Sequence, residues 1–299
     1  MELASARPAT NTSGDTAVAD VGIVGGGLMG SGIAECVARS GFRVLLHEPT
    51  PALRERSRVR IERSLQRAQA AGRITEGELA GASSRLSFVA GIEGLADCSV
   101  VIEAITEDPA AKSGVFAALS ATLAPSALLA SNTSSIPIAQ LAADVAHRGR
   151  VLGLHFFSPV PAMSLVEVVA GIDTEAQFVE RAVSFARAIG KVPIVTRDRA
   201  GFVVNALLVP YLVSSIRMLE EGFASREDID EGMRLGAGHP MGPLTLCDFV
   251  GLDVLSAVCQ TLHDEFRRPE NCRRPLSDSG RTLLPPSPGG AAKCRPAGG

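Results

Sequence analysis

The sequence predicts an α/β protein: a mostly parallel sheet covered by helices, followed by an all-α C-terminal domain. Three observations carry this reading. A glycine-rich turn, Gly25-Gly26-Gly27-Leu28-Met29-Gly30, stands between a short apolar run and a helical run. Apolar runs of strand length then recur with helical stretches among them as far as about residue 198. Beyond Asp198 the strand-like runs stop. At 299 residues the chain has room for about two domains of roughly 150 residues each.

Taken in order, residues 1–19 carry Pro8, Gly14 and many Ser, Thr and Ala, and read as a flexible tail. Val21-Gly22-Ile23-Val24 is the first strand. The helix after the glycine turn runs through Ile33, Ala34, Val37 and Ala38 and closes at Gly41. Phe42 to Leu46 is a second strand ending in His47-Glu48, which completes one βαβ unit. From Pro51 to Ala71 an Arg-rich amphipathic helix repeats Leu53, Ser57, Ile61 and Leu65 every four residues. Val100 to Ile105 is continuously apolar apart from Glu103, as a strand buried on both faces should be. Further strands are expected at Ala127 to Ala130, Val151 to Phe157, Val166 to Val169 and Val192 to Val195. Helical stretches at 109–123 and 175–189 lie between some of them, the pattern of a largely parallel sheet. Gly201 to Glu220 is a long helical run. Ser225 then reads as an N-cap with Asp228 at N3, and Gly251 to Phe266 as a third helix. The expected organisation is a sheet domain at 20–198, a helical domain at 199–267 and a disordered tail at 268–299. That tail holds six Pro and five Gly in 32 residues.

Composition narrows the function. Hydrophobic residues make up 46%, charged residues 20%, and the net charge is -3. That supports a sizeable core and argues against a phosphate-backbone partner, so no nucleic acid is expected. Aromatics are 4%, with no Trp and one Tyr, which leaves few stacking platforms. No apolar run reaches about 18 residues, so no membrane span is expected. The first twenty residues lack a charged-then-apolar leader, so the expected location is the cytoplasm. Six cysteines without a CxxC spacing read as reduced thiols, and no metal site is expected.

Gly25-x-Gly27-x-x-Gly30 carries the first chemical signal. In a Rossmann-like domain the first glycine permits the tight turn, the second lets backbone approach a pyrophosphate, and the third packs helix on strand. The helix N-terminus then offers free N–H groups to the phosphates. Glu48 lies 18 residues beyond Gly30, near the spacing that places a carboxylate on the adenosine ribose. A carboxylate accepts from a 2′-hydroxyl and repels a 2′-phosphate, so the expected cofactor is NAD; the bland alternative for Glu48 is a solvated strand-end acid. A second constellation joins Ser134, at the end of one strand, His155 in the next and Glu167 in the one after. A lone strand histidine is usually structural. In this company it becomes a base whose tautomer a carboxylate can fix, beside a hydroxyl donor. The trio has a hydrolase alternative, but no Ser lies on a G-x-S-x-G elbow, and a dinucleotide domain favours redox chemistry. Asn205, an amide in the apolar run Gly201-Phe202-Val203-Val204-Asn205-Ala206, is either a packing contact or a group facing the cleft.

Six segments in order, GGGLMGSGIA, SNTSS, GLHFFSPVP, LVEVV, AGFVVNALLVPYL and HPMGPLTLCDFVGLD, resemble the 3-hydroxyacyl-CoA dehydrogenases, within them most of all the bacterial 3-hydroxybutyryl-CoA dehydrogenases. The resemblance covers about residues 20–266. It implies hydride transfer between substrate C3 and a nicotinamide, with His155 taking the 3-hydroxyl proton and Glu167 orienting it. Ser134 and Asn205 would hydrogen-bond the reacting oxygens. Gly25, Gly27, Leu28, Met29, Gly30, Glu48, Glu107, Lys112 and Ser158 would meet the cofactor, and Ser64 the coenzyme A of an acyl-CoA substrate. A homodimer through the helical domain is also implied. The chain departs from the family in three places. Ser158 stands where Asn is usual. Ala71 falls where a lysine is usual, with Arg73 the nearest cation. Residues 268–299 resemble nothing in the family, whose usual closing segment is absent. The rival readings are a dehydrogenase for a carrier-protein-bound 3-hydroxyacyl group and a non-catalytic NAD-binding protein. A two-domain β-hydroxyacid dehydrogenase would need a lysine in the helical domain, and residues 199–266 contain none.

Overall fold

Eight strands form one sheet in the order β3-β2-β1-β4-β5-β6-β7-β8. In this computed structural model, which describes residues 20–267, the elements are β1 (Asp20–Val24), α1 (Leu28–Arg39), β2 (Arg43–His47), α2 (Pro51–Ala70), α3 (Glu76–Ser84), β3 (Leu86–Val89), β4 (Val100–Glu103), α4 (Pro109–Thr122), β5 (Leu128–Ser131), α5 (Ile138–Leu141), β6 (Val151–Phe156), β7 (Leu165–Ala170), α6 (Ala176–Ala188) and β8 (Val192–Arg197). The remainder is helical: α7 (Val204–Glu220), α8 (Arg226–Gly236), α9 (Pro243–Val250) and α10 (Leu252–Phe266). The expected tails at 1–19 and 268–299 lie outside the described residues. Every ladder is parallel except β6–β7.

Alternation along the strands divides the core. Val21, Ile23, Val44, Leu46, Val100 and Ile102 pack on one face with Ile33 and Val37 of α1, Ile61 and Leu65 of α2 and Phe185 of α6. Val101, Leu129 and Val151 pack on the other with Phe116 and Leu119 of α4 and Leu141 of α5. Helix starts follow local chemistry. Thr50 and Asp108 accept from the third residue on, each followed by Pro at the first helical position, and Thr75 forms a full capping box with Glu78. Ser225 caps α8 as expected, its hydroxyl accepting from the Asp228 amide at 3.1 Å.

The structure adds three features. β3 is short, half-exposed and interrupted by Ser87, so it carries no apolar run, yet it pairs with β2. The strand expected at 100–105 stops at Glu103, because the Glu103 carboxylate draws in the Ile105 amide at 2.7 Å. Four helices rather than three fill 204–266. α9 is capped from outside: Asp230 on α8 accepts from the Leu244 and Thr245 amides at 2.7 and 3.0 Å. Among the described residues no single helix is long and apolar enough to cross a membrane.

Candidate active site

The strand order reverses between β1 and β4, and open α/β sheets bind ligands in the crevice at that point. The glycine turn opens there. Gly25 has φ +96°, and a Cβ on it would lie 2.8 Å from the Ala104 carbonyl oxygen. A Cβ on Gly30 would lie 1.8 Å from the Gly25 carbonyl oxygen, so α1 packs against the turn only because Gly30 has no side chain. Gly27 is different: a Cβ there would meet nothing within 4 Å, and no side chain caps α1. The open space above Gly27 and the uncapped N–H groups of Leu28, Met29 and Gly30 fit a pyrophosphate. The Gly26 carbonyl oxygen accepts from Ser31 Oγ, Ser57 Oγ and Arg60 Nη1 at 2.8, 3.1 and 2.6 Å, which stiffens the turn from behind. Glu48, just past β2, accepts from the Gly26 amide through Oε1 at 2.6 Å. It therefore sits at the turn, with one oxygen already engaged.

The SNTSS segment follows β5, which ends at Ser131, so Ser134 lies three residues out in a loop rather than at the strand end. Glu107 gathers that loop. Its Oε1 accepts from Thr133 Oγ1 at 2.6 Å, from the Ser134 amide at 2.9 Å and from the Ser135 amide at 3.2 Å. Burial pushes the Glu107 carboxyl up, but the Lys112 charge and the Thr133 and Ser134 hydrogen bonds outweigh it and hold it below the usual carboxylate range. Lys112 is turned inward: its side chain is 1% exposed and pairs with Glu103 Oε1 at 2.6 Å and Glu107 Oε2 at 3.2 Å. The resemblance implies that Lys112 meets the cofactor; here its ammonium lies between the two carboxylates.

His155 and Glu167 are register partners across the antiparallel β6–β7 ladder. His155 Nδ1 and Glu167 Oε2 are 2.6 Å apart, and both side chains are buried. The other oxygen, Oε1, accepts from the Val203 and Val204 amides at the start of α7, each at 3.0 Å. One carboxylate thus joins the imidazole to the helical region. Burial pushes Glu167 up; hydrogen bonds from His155, Val204 and Val203, with the His155 charge, outweigh it and hold it low. Because Nδ1–H donates to the carboxylate, the neutral ring presents Nε2 as an acceptor. The rings of Phe157 and Phe202 flank the imidazole at 4.6 and 5.4 Å between centroids. Phe202 is buried with φ +48°, next to Gly201 at +74°; left-handed backbone in so bulky a residue is held by its surroundings.

Asn205 is the second residue of α7, directly after the two amides that hold Glu167, and among the described residues no protein group hydrogen-bonds its amide. Ser158 lies exposed just beyond β6, and Ser64 half-buried on α2. Arg56, Arg60, Arg63 and Arg67 line a groove along the same helix. The fold therefore brings His155, Glu167 and Asn205 into one region, and joins Ser134 to Glu107. Three participants had escaped the sequence reading. Asn132 accepts from the Phe156 amide at 2.9 Å, the Val203–Val204 amides hold Glu167, and Glu103 underpins the loop. Only Glu103 left a signal, a charge inside a strand that is otherwise wholly apolar.

Comparison with known proteins decides the family. The model of the 3-hydroxyacyl-CoA dehydrogenase NAD binding domain matches residues 20–199, and that of the 3-hydroxyacyl-CoA dehydrogenase C-terminal domain matches residues 201–281. The chain belongs to the 3-hydroxyacyl-CoA dehydrogenase family. It is an NAD-dependent oxidoreductase. A 3-hydroxybutyryl-CoA dehydrogenase of Mycobacterium tuberculosis is 49% identical over 262 residues, covering 87% of this chain and 92% of the relative. The crystal structure of M. tuberculosis FadB2 superposes with a TM-score of 0.86 at 49% identity, over 87% of this chain and 92% of that one. That of (S)-3-hydroxybutyryl-CoA dehydrogenase from Ralstonia eutropha gives 0.82 at 38% identity, over 85% and 90%. The C-terminal family match runs to residue 281, past the point at 268 where the motif resemblance stopped, so that part of the expectation is corrected.

Proposed function

We propose that the chain interconverts (3S)-3-hydroxybutyryl-CoA and acetoacetyl-CoA. The buried His155–Glu167 pair carries this reading, because Nδ1 is committed to the carboxylate and Nε2 is left to meet substrate. When bound, NAD supplies the acceptor for the hydrogen leaving C3. His155 Nε2 takes the 3-hydroxyl proton in oxidation and returns it in reduction, and Glu167 stabilises the imidazolium formed in between. The Ser134 hydroxyl and Asn205 amide donate to the reacting oxygens. Gly25 to Gly30, Glu48, Glu107 and Ser158 hold the cofactor. Ser64, with Arg60, Arg63 and Arg67 along its helix, takes the coenzyme A phosphates.

The same reading makes the protein a homodimer. Leu207, Phe223, Leu235 and Phe249 are 72%, 78%, 75% and 65% exposed, all in the helical region.

The test is NADH oxidation with acetoacetyl-CoA, longer 3-ketoacyl-CoAs and a carrier-protein thioester, repeated with NADPH. The expected order of kcat/KM puts acetoacetyl-CoA first and NADH above NADPH. A higher value for the carrier-bound substrate would overturn the substrate assignment, and equal values for the two coenzymes would remove Glu48 from the selection.

A further inference from the structure

Beneath the serine loop lies a charged pair that the proton transfer does not use. Glu103, at the end of β4, is 0% exposed, and both its oxygens are engaged. Oε1 accepts from Lys112 Nζ at 2.6 Å and from the Ile105 amide at 2.7 Å; Oε2 accepts from Ser131 Oγ at 2.6 Å. Ser131 Oγ in turn accepts from the Thr133 amide at 3.1 Å. Lys112 Nζ reaches outward to Glu107 Oε2 at 3.2 Å, and the second Glu107 oxygen holds Thr133, Ser134 and Ser135. A carboxylate–ammonium–carboxylate chain therefore runs from the core to the loop. The main chain reinforces it, since the Asn132 amide donates to the Glu103 carbonyl at 2.8 Å and Asn132 Oδ1 accepts next to His155.

Stability alone does not call for this arrangement. Removing two charges from water often costs more than their attraction returns, and a well-packed apolar pair of the same volume serves a core as well or better. What an apolar pair cannot do is hold a cation under Glu107. We propose that Glu103 is a positioning residue: it locks the Lys112 ammonium beneath Glu107, and Lys112 thereby holds Glu107 and the 131–135 loop in the geometry that binds the cofactor. The proposal rests on the reading of Glu107 as a cofactor contact.

Three variants test it: Glu103→Gln, Lys112→Met and the two combined. Each is read by NADH fluorescence titration, by Tm, and by the split between KM and kcat for acetoacetyl-CoA. Glu103→Gln leaves the buried Lys112 with only its outer partner Glu107, Lys112→Met leaves Glu103 buried without a cation, and both should lower Tm. Each should also weaken NADH binding at least ten-fold, about 1.4 kcal/mol. The double variant leaves no lone buried charge, so Tm should return toward wild type while NADH binding stays weak, because Glu107 still lacks its cation. A merely structural pair would recover both together. Wild-type NADH affinity in the double variant, or in a folded Glu103→Gln, overturns the proposal. The titration needs no turnover, so it reads the network even if acetoacetyl-CoA proves to be the wrong substrate.

Discussion

At the scale of single residues the proposed chemistry rests on which ring nitrogen of His155 is committed. Replacing His155 by Asn keeps a donor near the Nδ1 position for Glu167 and deletes the Nε2 base. The expected outcome is a fall in kcat of roughly 10²–10⁴-fold, the usual share of general acid–base catalysis. NADH titration should be nearly unchanged. Full turnover in this variant would exclude His155 as the base. Glu167 and Glu107 are both held below the ordinary Glu value of about 4.3. Between that value and their lower native ones the unfolded chain binds more protons than the folded one, so stability rises with pH there. It is fully present above about pH 5 and lost as pH falls through the native values. Thermal melts from pH 6 to pH 3 should show the decline, and Glu167→Gln should flatten part of it. An unchanged slope in that variant would mean that Glu167 is not a source of the acid sensitivity.

At the scale of elements, the glycine turn separates two demands that look alike in sequence. Gly30 is required by packing, since a methyl group there would overlap the Gly25 carbonyl. Gly27 has room for a methyl group as the protein stands, and its backbone, φ −61° and ψ −166°, suits any residue. Gly30→Ala should therefore lower Tm by several degrees, a loss of about 1–3 kcal/mol typical of overpacking. Gly27→Ala should melt close to wild type yet bind NADH at least ten-fold more weakly, about 1.4 kcal/mol, because the methyl group fills the space a pyrophosphate needs. Melting curves and NADH titrations on both proteins check this. If Gly27→Ala bound NADH normally, the pyrophosphate would have to lie elsewhere. The Rossmann-like βαβ unit and the Pro51–Ala70 helix were legible in the sequence for a related reason. Turn glycines, N-caps and apolar periodicity act over a few residues, and the sequence displays that range directly. β3 and α9 were not legible, the first lacking an apolar run and the second taking its cap from Asp230, some fourteen residues upstream.

At the scale of the whole molecule, the helical region leaves large apolar side chains in water while its own core, built on Val209, Leu212, Leu244, Leu255 and Leu262, is already filled. A homodimer covering them predicts sedimentation at twice the chain mass of 31.1 kDa. Combining Phe223→Asp with Leu235→Asp should shift the protein toward monomer without lowering Tm by more than a few degrees, since both sites are exposed in the single chain. Analytical ultracentrifugation across a concentration series decides this. A wild-type monomer at micromolar concentration would remove the dimer from the reading.

The sequence by itself determined the α/β class, the dinucleotide turn and the change of texture near residue 198, and it singled out the two residues proposed as the acid–base pair. Each of these is encoded in short-range pattern or in residue types with few other uses. Only the tertiary structure decided how those residues meet. The antiparallel β6–β7 register sets His155 opposite Glu167, and the left-handed Gly201–Phe202 step delivers two α7 amides to the far oxygen of that carboxylate. Packing of α4 on the sheet turns Lys112 inward against Glu103, a pairing that no local motif contains. The physical reason is common to all three. Strand register, helix docking and the burial of a charge are settled by contacts between residues distant in sequence, and the local pattern at either end does not contain them.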